Sequence, residues 1–140
     1  MESKTFPATV ESLTHIREYL TELSAAAGLD KKQIYNLCLA VDEVVTNIFL
    51  YGYGESGQKG VVDVYAEMDE NQIKITVEDD SPPYDPTQQK LPDEEDLKKP
   101  LEDRPIGGLG LFLTISNVDE FKYEYVNRRN RNIFIVKRSS

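Results

Sequence analysis

The 140-residue chain contains one cysteine, one histidine and no apolar run near the roughly 20 residues that a membrane-spanning helix needs. A spanning role is therefore excluded. The lone Cys38 has no partner for an internal disulfide, and among Leu37, Leu39 and Val41 it reads as a small buried hydrophobe. With His15 the sole imidazole, no Cys/His zinc set exists. The opening residues Met1 to Pro7 lack a leader-length apolar run, which predicts a cytoplasmic protein. Basic residues are also scarce, 16 against 25 acidic ones, giving a net charge of −9 that repels a polyphosphate backbone. Direct nucleic-acid binding is not expected. An anionic ligand would have to be held by backbone N–H groups, a helix N-terminus or a metal ion.

What is present is an ordinary globular composition, 39% hydrophobic and 29% charged, in a length that suits one compact domain spanning 1–140. Proline is confined almost entirely to one segment: six of the seven lie between Ser81 and Pro105. After a short extended start at Lys4 to Phe6, the spacing of Leu13, Ile16, Leu20, Leu23 and Ala27 predicts an amphipathic helix closed by Gly28. Asp30, with Gln33 as its capping-box partner, opens a second helix predicted to run to about Tyr51. Strands are expected at Val61 to Met68 and Gln72 to Glu78, joined by Asp69-Glu70-Asn71. The proline-rich loop leads to Gly107-Gly108-Leu109-Gly110 and a short helix over Leu111 to Ile115. Two closing strands, Glu120 to Val126 and Asn132 to Arg138, flank the polar turn Asn127 to Arg131. Hairpin-joined strands with helices on one face make an α+β two-layer sandwich.

Three groups of residues can carry chemistry. On the second helix Ile34, Leu37, Cys38, Val41, Val45 and Ile48 form an apolar stripe, while Asn36, Ala40, Glu43, Asn47 and Leu50 lie opposite. Glu43 and Asn47 are one turn apart, so a carboxylate and an amide oxygen point the same way, a pair suited to a hard cation or to a base beside one. The strand ending at Glu78 runs into Asp79-Asp80-Ser81-Pro82-Pro83, where an aspartate can accept a hydrogen bond from an exocyclic amine. The glycines at 107, 108 and 110 precede a helix and let backbone amides approach a phosphate. No Lys-Ser or Lys-Thr follows them, so they are not a Walker A loop. Taken singly, these features are also an ordinary exposed helix face, a turn aspartate before prolines, and a tight turn. Their order along the chain says more than any one of them.

That order resembles the GHKL ATPase superfamily and, within it, the anti-sigma factor serine/threonine kinases of bacterial partner-switching systems. The resemblance covers nearly the whole chain and implies a Bergerat-type, mostly antiparallel mixed sheet with helices on one face. Leu39 to Ile48 is similar to the family's N box, which implies Glu43 as general base and Asn47 as a magnesium ligand. Asp79-Asp80-Ser81 resembles the first glycine box, with Asp79 on the adenine amino group and Ser81 where a glycine is expected. Gly108-Leu109-Gly110 resembles the second, its amides on the phosphates, with Arg104 upstream as a candidate for the terminal phosphate. The segment at about 86–107 corresponds to an ATP lid. Tyr51 stands where a histidine often follows the N box, and Arg131 and Asn132 stand where a threonine often approaches adenine, Asn132 being the polar substitute.

The resemblance implies ATP and Mg²⁺ as cofactors and transfer of the γ-phosphoryl group to a serine or threonine of an anti-anti-sigma (STAS) partner. It also implies sequestration of a sigma factor and a homodimer. No separate phosphoacceptor domain accompanies His15, which argues against a histidine kinase. A non-catalytic, ATP-dependent binding switch of the same fold is the alternative, and a scaffold without nucleotide the third reading.

Overall fold

The structure, a computed structural model, describes residues 2–49, 60–83 and 117–138. Within them the chain forms β1 (Glu2–Pro7), α1 (Val10–Ala26), α2 (Lys31–Asn47), β2 (Val61–Met68), β3 (Gln72–Asp79), β4 (Glu120–Val126) and β5 (Arg129–Lys137). The five strands make one sheet in the order β1-β2-β3-β5-β4. Every described pairing is antiparallel, so no parallel pairing of the expected mixed sheet occurs among the described residues. The segment around Tyr51, the proline-rich segment expected as a lid, and the glycine-opened helix after it lie outside the described residues.

Local chemistry accounts for the helices. Ile16 and Leu20 are buried one turn apart on α1 with Tyr19 and Ala27, and the helix starts at Val10, a turn earlier than its apolar period indicates. Gly28 stops it with φ +83, a conformation in which a side chain would be strained although nothing lies within 4 Å of a Cβ placed there. The Asp30 carboxylate accepts from Gln33 N–H at 2.8 Å, and the Asp30 N–H donates to Gln33 Oε1 at 3.0 Å, completing the predicted capping box. Gln33 also ties the helix to the sheet, since its Nε2 donates to the Lys137 carbonyl at 2.9 Å and so fastens the start of α2 to the end of β5.

Period-two alternation then sorts each strand. Val62, Val64, Ile73, Ile75, Val77, Phe134 and Val136 face the helices and are buried against Ile16, Leu20, Leu37, Val41 and Val45. Burying each such side chain stabilises the fold by about 1.5–3 kcal/mol. The face of α2 opposite its stripe is not simply solvated, because Ala40 is fully buried and Asn47 is 6% exposed. The other face of the sheet carries ion pairs: Arg129 reaches Asp63, Glu78 and Asp80, and Arg131 reaches Glu78 and Glu124.

The β4–β5 connection differs from the expected five-residue turn. Val126 pairs with Arg129, leaving a two-residue turn in which Asn127 (φ 54) and Arg128 (φ 64) are both left-handed. That geometry matches the right-handed twist of a hairpin and is tolerated by asparagine, so the chain turns sooner than its polar run suggests. Asn130 and Arg131 consequently belong to β5.

Candidate functional site

At one end of the sheet's helix-facing side the apolar alternation gives way to polar residues. Asp79, the last residue of β3, pairs directly with Asn130 of β5; one step inward, Val77 pairs with Asn132, which in turn pairs with Tyr123 of β4. Asp79 is fully buried, and Ser81, Asn130 and Asn132 are each 2% exposed. Groups of this polarity are rarely buried without partners. Ser81 Oγ donates to Asp79 Oδ2 at 2.7 Å, and Asn130 Nδ2 approaches the same oxygen at 3.3 Å. Asp79 Oδ1 and Asn132 Oδ1 have no hydrogen-bond partner among the described residues.

Burial pushes the Asp79 carboxyl up from 3.8 to about 6, against the hydrogen bonds of Ser81 and Asn130 and the positive charge of Arg129, which pull it down. At neutral pH it is mostly ionised and can only accept. The exocyclic amino group of adenine is a donor of the kind Oδ1 requires, so these residues fit the purine expected of the site. Arg129 lies on the opposite face of the sheet, and its ion pairs with Asp63, Glu78 and Asp80 partly balance the acidic strand ends beneath the cluster.

Two lengths set how far α2 reaches. Its start is fixed by the bond from Gln33 to Lys137, at the far end of β5. From Gln33 to Asn47 is about 21 Å of helix at 1.5 Å per residue, and from Lys137 back to Asn130 is about 23 Å of strand at 3.3 Å per residue. Laid along β5, which it contacts, α2 is long enough for its Glu43–Asn47 turn to reach the polar end of the sheet. Glu43 is half-buried, and Asn47 is buried with its Nδ2 donating to the Glu43 carbonyl at 2.9 Å. With its amide nitrogen committed to the helix, Asn47 has Oδ1 as the atom for a cation. The last described residues, Ile48 and Phe49, leave the regular α-helix for a π turn, with Ile48 N–H bonding both the Val44 and Val45 carbonyls.

The described part of the expected set is thus Glu43, Asn47, Asp79, Ser81 and Asn132. Arg104, Gly108, Leu109 and Gly110 lie outside the described residues. Arg131, which stands beside Asn132 at the threonine position, points to the other face and pairs with Glu78 and Glu124. Asn130 and Tyr123 join the cluster although the sequence does not single them out, since Asn130 falls inside the turn that the polar run suggests. Among the described residues no group of three His, Cys, Asp or Glu is placed to hold a metal. A magnesium ion that takes most of its oxygens from phosphate and water needs no such cage.

Residues 6–136 match the model of the histidine kinase-like ATPase domain family, and the chain belongs to that family. Two Staphylococcus aureus proteins named serine-protein kinase RsbW, from strains MSSA476 and JH9, are 35% and 36% identical to it over 116 residues, 81% of this chain and 72% of theirs. Identity and coverage of this extent put it with the RsbW serine-protein kinases. The fold also matches a crystal structure of the RsbU and RsbW domains of a Mycobacterium tuberculosis protein, with a TM-score of 0.66 at 18% identity. All of this chain is covered there, but it spans only 33% of that protein. The histidine kinase domain of a blue-light-activated kinase from Erythrobacter litoralis matches with a TM-score of 0.53 at 15% identity, over 94% of this chain and 61% of that one. No described helix is long and apolar enough to cross a membrane.

Proposed function

We propose that this chain is an ATP-dependent serine/threonine protein kinase that phosphorylates an anti-anti-sigma partner of the STAS fold and sequesters a sigma factor. The observation that supports the reading is the fully buried Asp79, whose Oδ1 lacks a partner among the described residues. Family membership supports the phosphoryl-transfer chemistry.

In this mechanism Asp79 Oδ1 accepts from the adenine amino group while Ser81 holds the other carboxylate oxygen. Asn132 Oδ1 offers a second acceptor near the purine. The family resemblance assigns the phosphates to the amides of Gly108, Leu109 and Gly110 and the terminal phosphate to Arg104. Asn47 Oδ1 would hold Mg²⁺, whose contribution would be to neutralise phosphate charge. Glu43 takes the proton of the partner's hydroxyl as that oxygen bonds the γ-phosphorus, and the bridging oxygen leaves with ADP. Aligning donors and the base before reaction is where most of the rate is gained. The kinase acts as a cytoplasmic homodimer on proteins, away from membranes and nucleic acids, in keeping with its charge of −9.

The test is incubation of the purified chain with Mg²⁺ and γ-labelled ATP beside candidate STAS proteins. Label on a partner serine or threonine is expected. ATP that binds without transfer would favour a non-catalytic switch, and no binding at all would overturn the nucleotide site.

A further inference from the structure

Asn130 is buried to 2% exposure at the start of β5, and its two amide ends meet partners of opposite character. Its Oδ1 accepts from the Tyr123 hydroxyl. Its Nδ2 faces four acceptors: the Ser81 carbonyl at 3.0 Å, the Pro82 carbonyl at 3.2 Å, Asp79 Oδ2 at 3.3 Å and Ser81 Oγ at 3.4 Å. Main-chain carbonyls can only accept, so the amide has one workable orientation, and the Tyr123 hydroxyl on the other side secures it. Side-chain amides with both ends committed in a buried setting are costly to rearrange.

The arrangement has two effects. It clips the backbone of Ser81 and Pro82 to the start of β5, fixing where the chain departs from β3. It also joins Ser81 Oγ in holding Asp79 Oδ2, which leaves Oδ1 as the oxygen without a partner among the described residues. Without the clip the carboxylate can rotate about its terminal torsion, which is broad for aspartate, and the acceptor loses its fixed direction.

We propose that Asn130, secured by Tyr123, is a positioning residue that sets the preference of the site for adenine over guanine by holding Asp79 in the orientation that presents Oδ1. This rests on the nucleotide reading above. Guanine carries a carbonyl oxygen where adenine carries the amino donor, so a fixed, ionised acceptor penalises it. A carboxylate free to turn away discriminates less.

The experiment is calorimetric titration of wild type, Asn130→Ala and Tyr123→Phe with Mg-ADP and Mg-GDP, each variant's folding being checked by circular dichroism. Asn130→Ala is expected to lower the ADP-to-GDP affinity ratio about tenfold, the scale of one hydrogen bond to a charged group. Tyr123→Phe preserves the ring and removes only the hydroxyl, and should lower the ratio by about threefold, so it decides the matter if the alanine variant does not fold. A purely structural role would weaken both nucleotides alike, and an unchanged ratio in the folded variants would overturn the proposal. Wild type that binds neither nucleotide would overturn the site itself; wild type that prefers ADP while the variants match it would overturn only the role of Asn130.

Discussion

Ionising Asp79 in the nucleotide-free protein should cost stability, and the cost should appear only where the carboxyl is charged. Its carboxyl is raised from 3.8 to about 6, chiefly by burial. Between those values the folded chain still holds the proton that the unfolded chain has released. Stability therefore falls as pH rises through this window, and the full penalty is present above about pH 6. At 1.36 kcal/mol per pH unit the penalty approaches about 3 kcal/mol. Asp79→Asn cannot ionise, so its stability relative to wild type should improve by about 2 kcal/mol between pH 4.5 and pH 7.5. For a chain of this length that is about 7 °C in melting temperature. The comparison cancels any fixed cost of the new amide, since that cost is the same at both pH values. Thermal unfolding followed by circular dichroism at the two pH values checks it. A wild-type-to-variant gap that does not change with pH would refute the reasoning, because it would mean that the carboxylate is not desolvated in the folded state.

Nucleotide binding should show the opposite trend with pH: Mg-ADP affinity is expected to hold above about pH 6 and to fall by up to about tenfold per unit below it, as Asp79 takes up a proton and ceases to be a pure acceptor, which titration calorimetry would follow. Glu43→Ala should reduce phosphoryl transfer by about 10²-fold or more while leaving ATP affinity within a factor of about two, as read by label transfer and calorimetry. Asp30→Ala removes the cap of α2 and should cost about 1 kcal/mol in chemical denaturation. Phe134→Ala empties the middle of the core, where the ring sits edge-on to Phe121 with centroids 5.1 Å apart, and should cost about 3–5 kcal/mol, seen as a lower denaturation midpoint.

The parts of the fold legible in the sequence are those fixed by near neighbours. The capping box at Asp30 and Gln33 is closed within four residues, and β2 and β3 are joined by a three-residue turn with strong alternation, so both stand as expected. Burial on the second side of α2 is not legible. A helical wheel shows which residues share a face but not how many layers cover it, and Ala40 and Asn47 are covered. Asp79 stands out through its place after a strand and before prolines, although its burial depends on pairing with Asn130 across the sheet. Asn130 escapes notice for a related reason. A run of asparagines and arginines has no apolar residue to mark where the strand begins, so the polar stretch reads as a longer turn that takes in Asn130. Once the two-residue turn is known, the alternation Arg129, Asn130, Arg131, Asn132 assigns both arginines to the ion-pair face and both asparagines to the ligand face.

The brevity of that turn makes the β4–β5 hairpin a reading frame for the site. Because side chains change sides at every step, only a one-residue slip of β5 against β3 and β4 would trade the two asparagines for the two arginines, and it would turn Phe134 and Val136 out of the core as well. Guanidinium groups would then confront the purine from within the layer, while the glutamates behind would lose their counter-charges. The opposite end of the sheet is tied in as well, the Asn71 and Asp69 carbonyls accepting from Arg138 at 2.8 and 2.6 Å, so the phase of β5 is held at both of its ends.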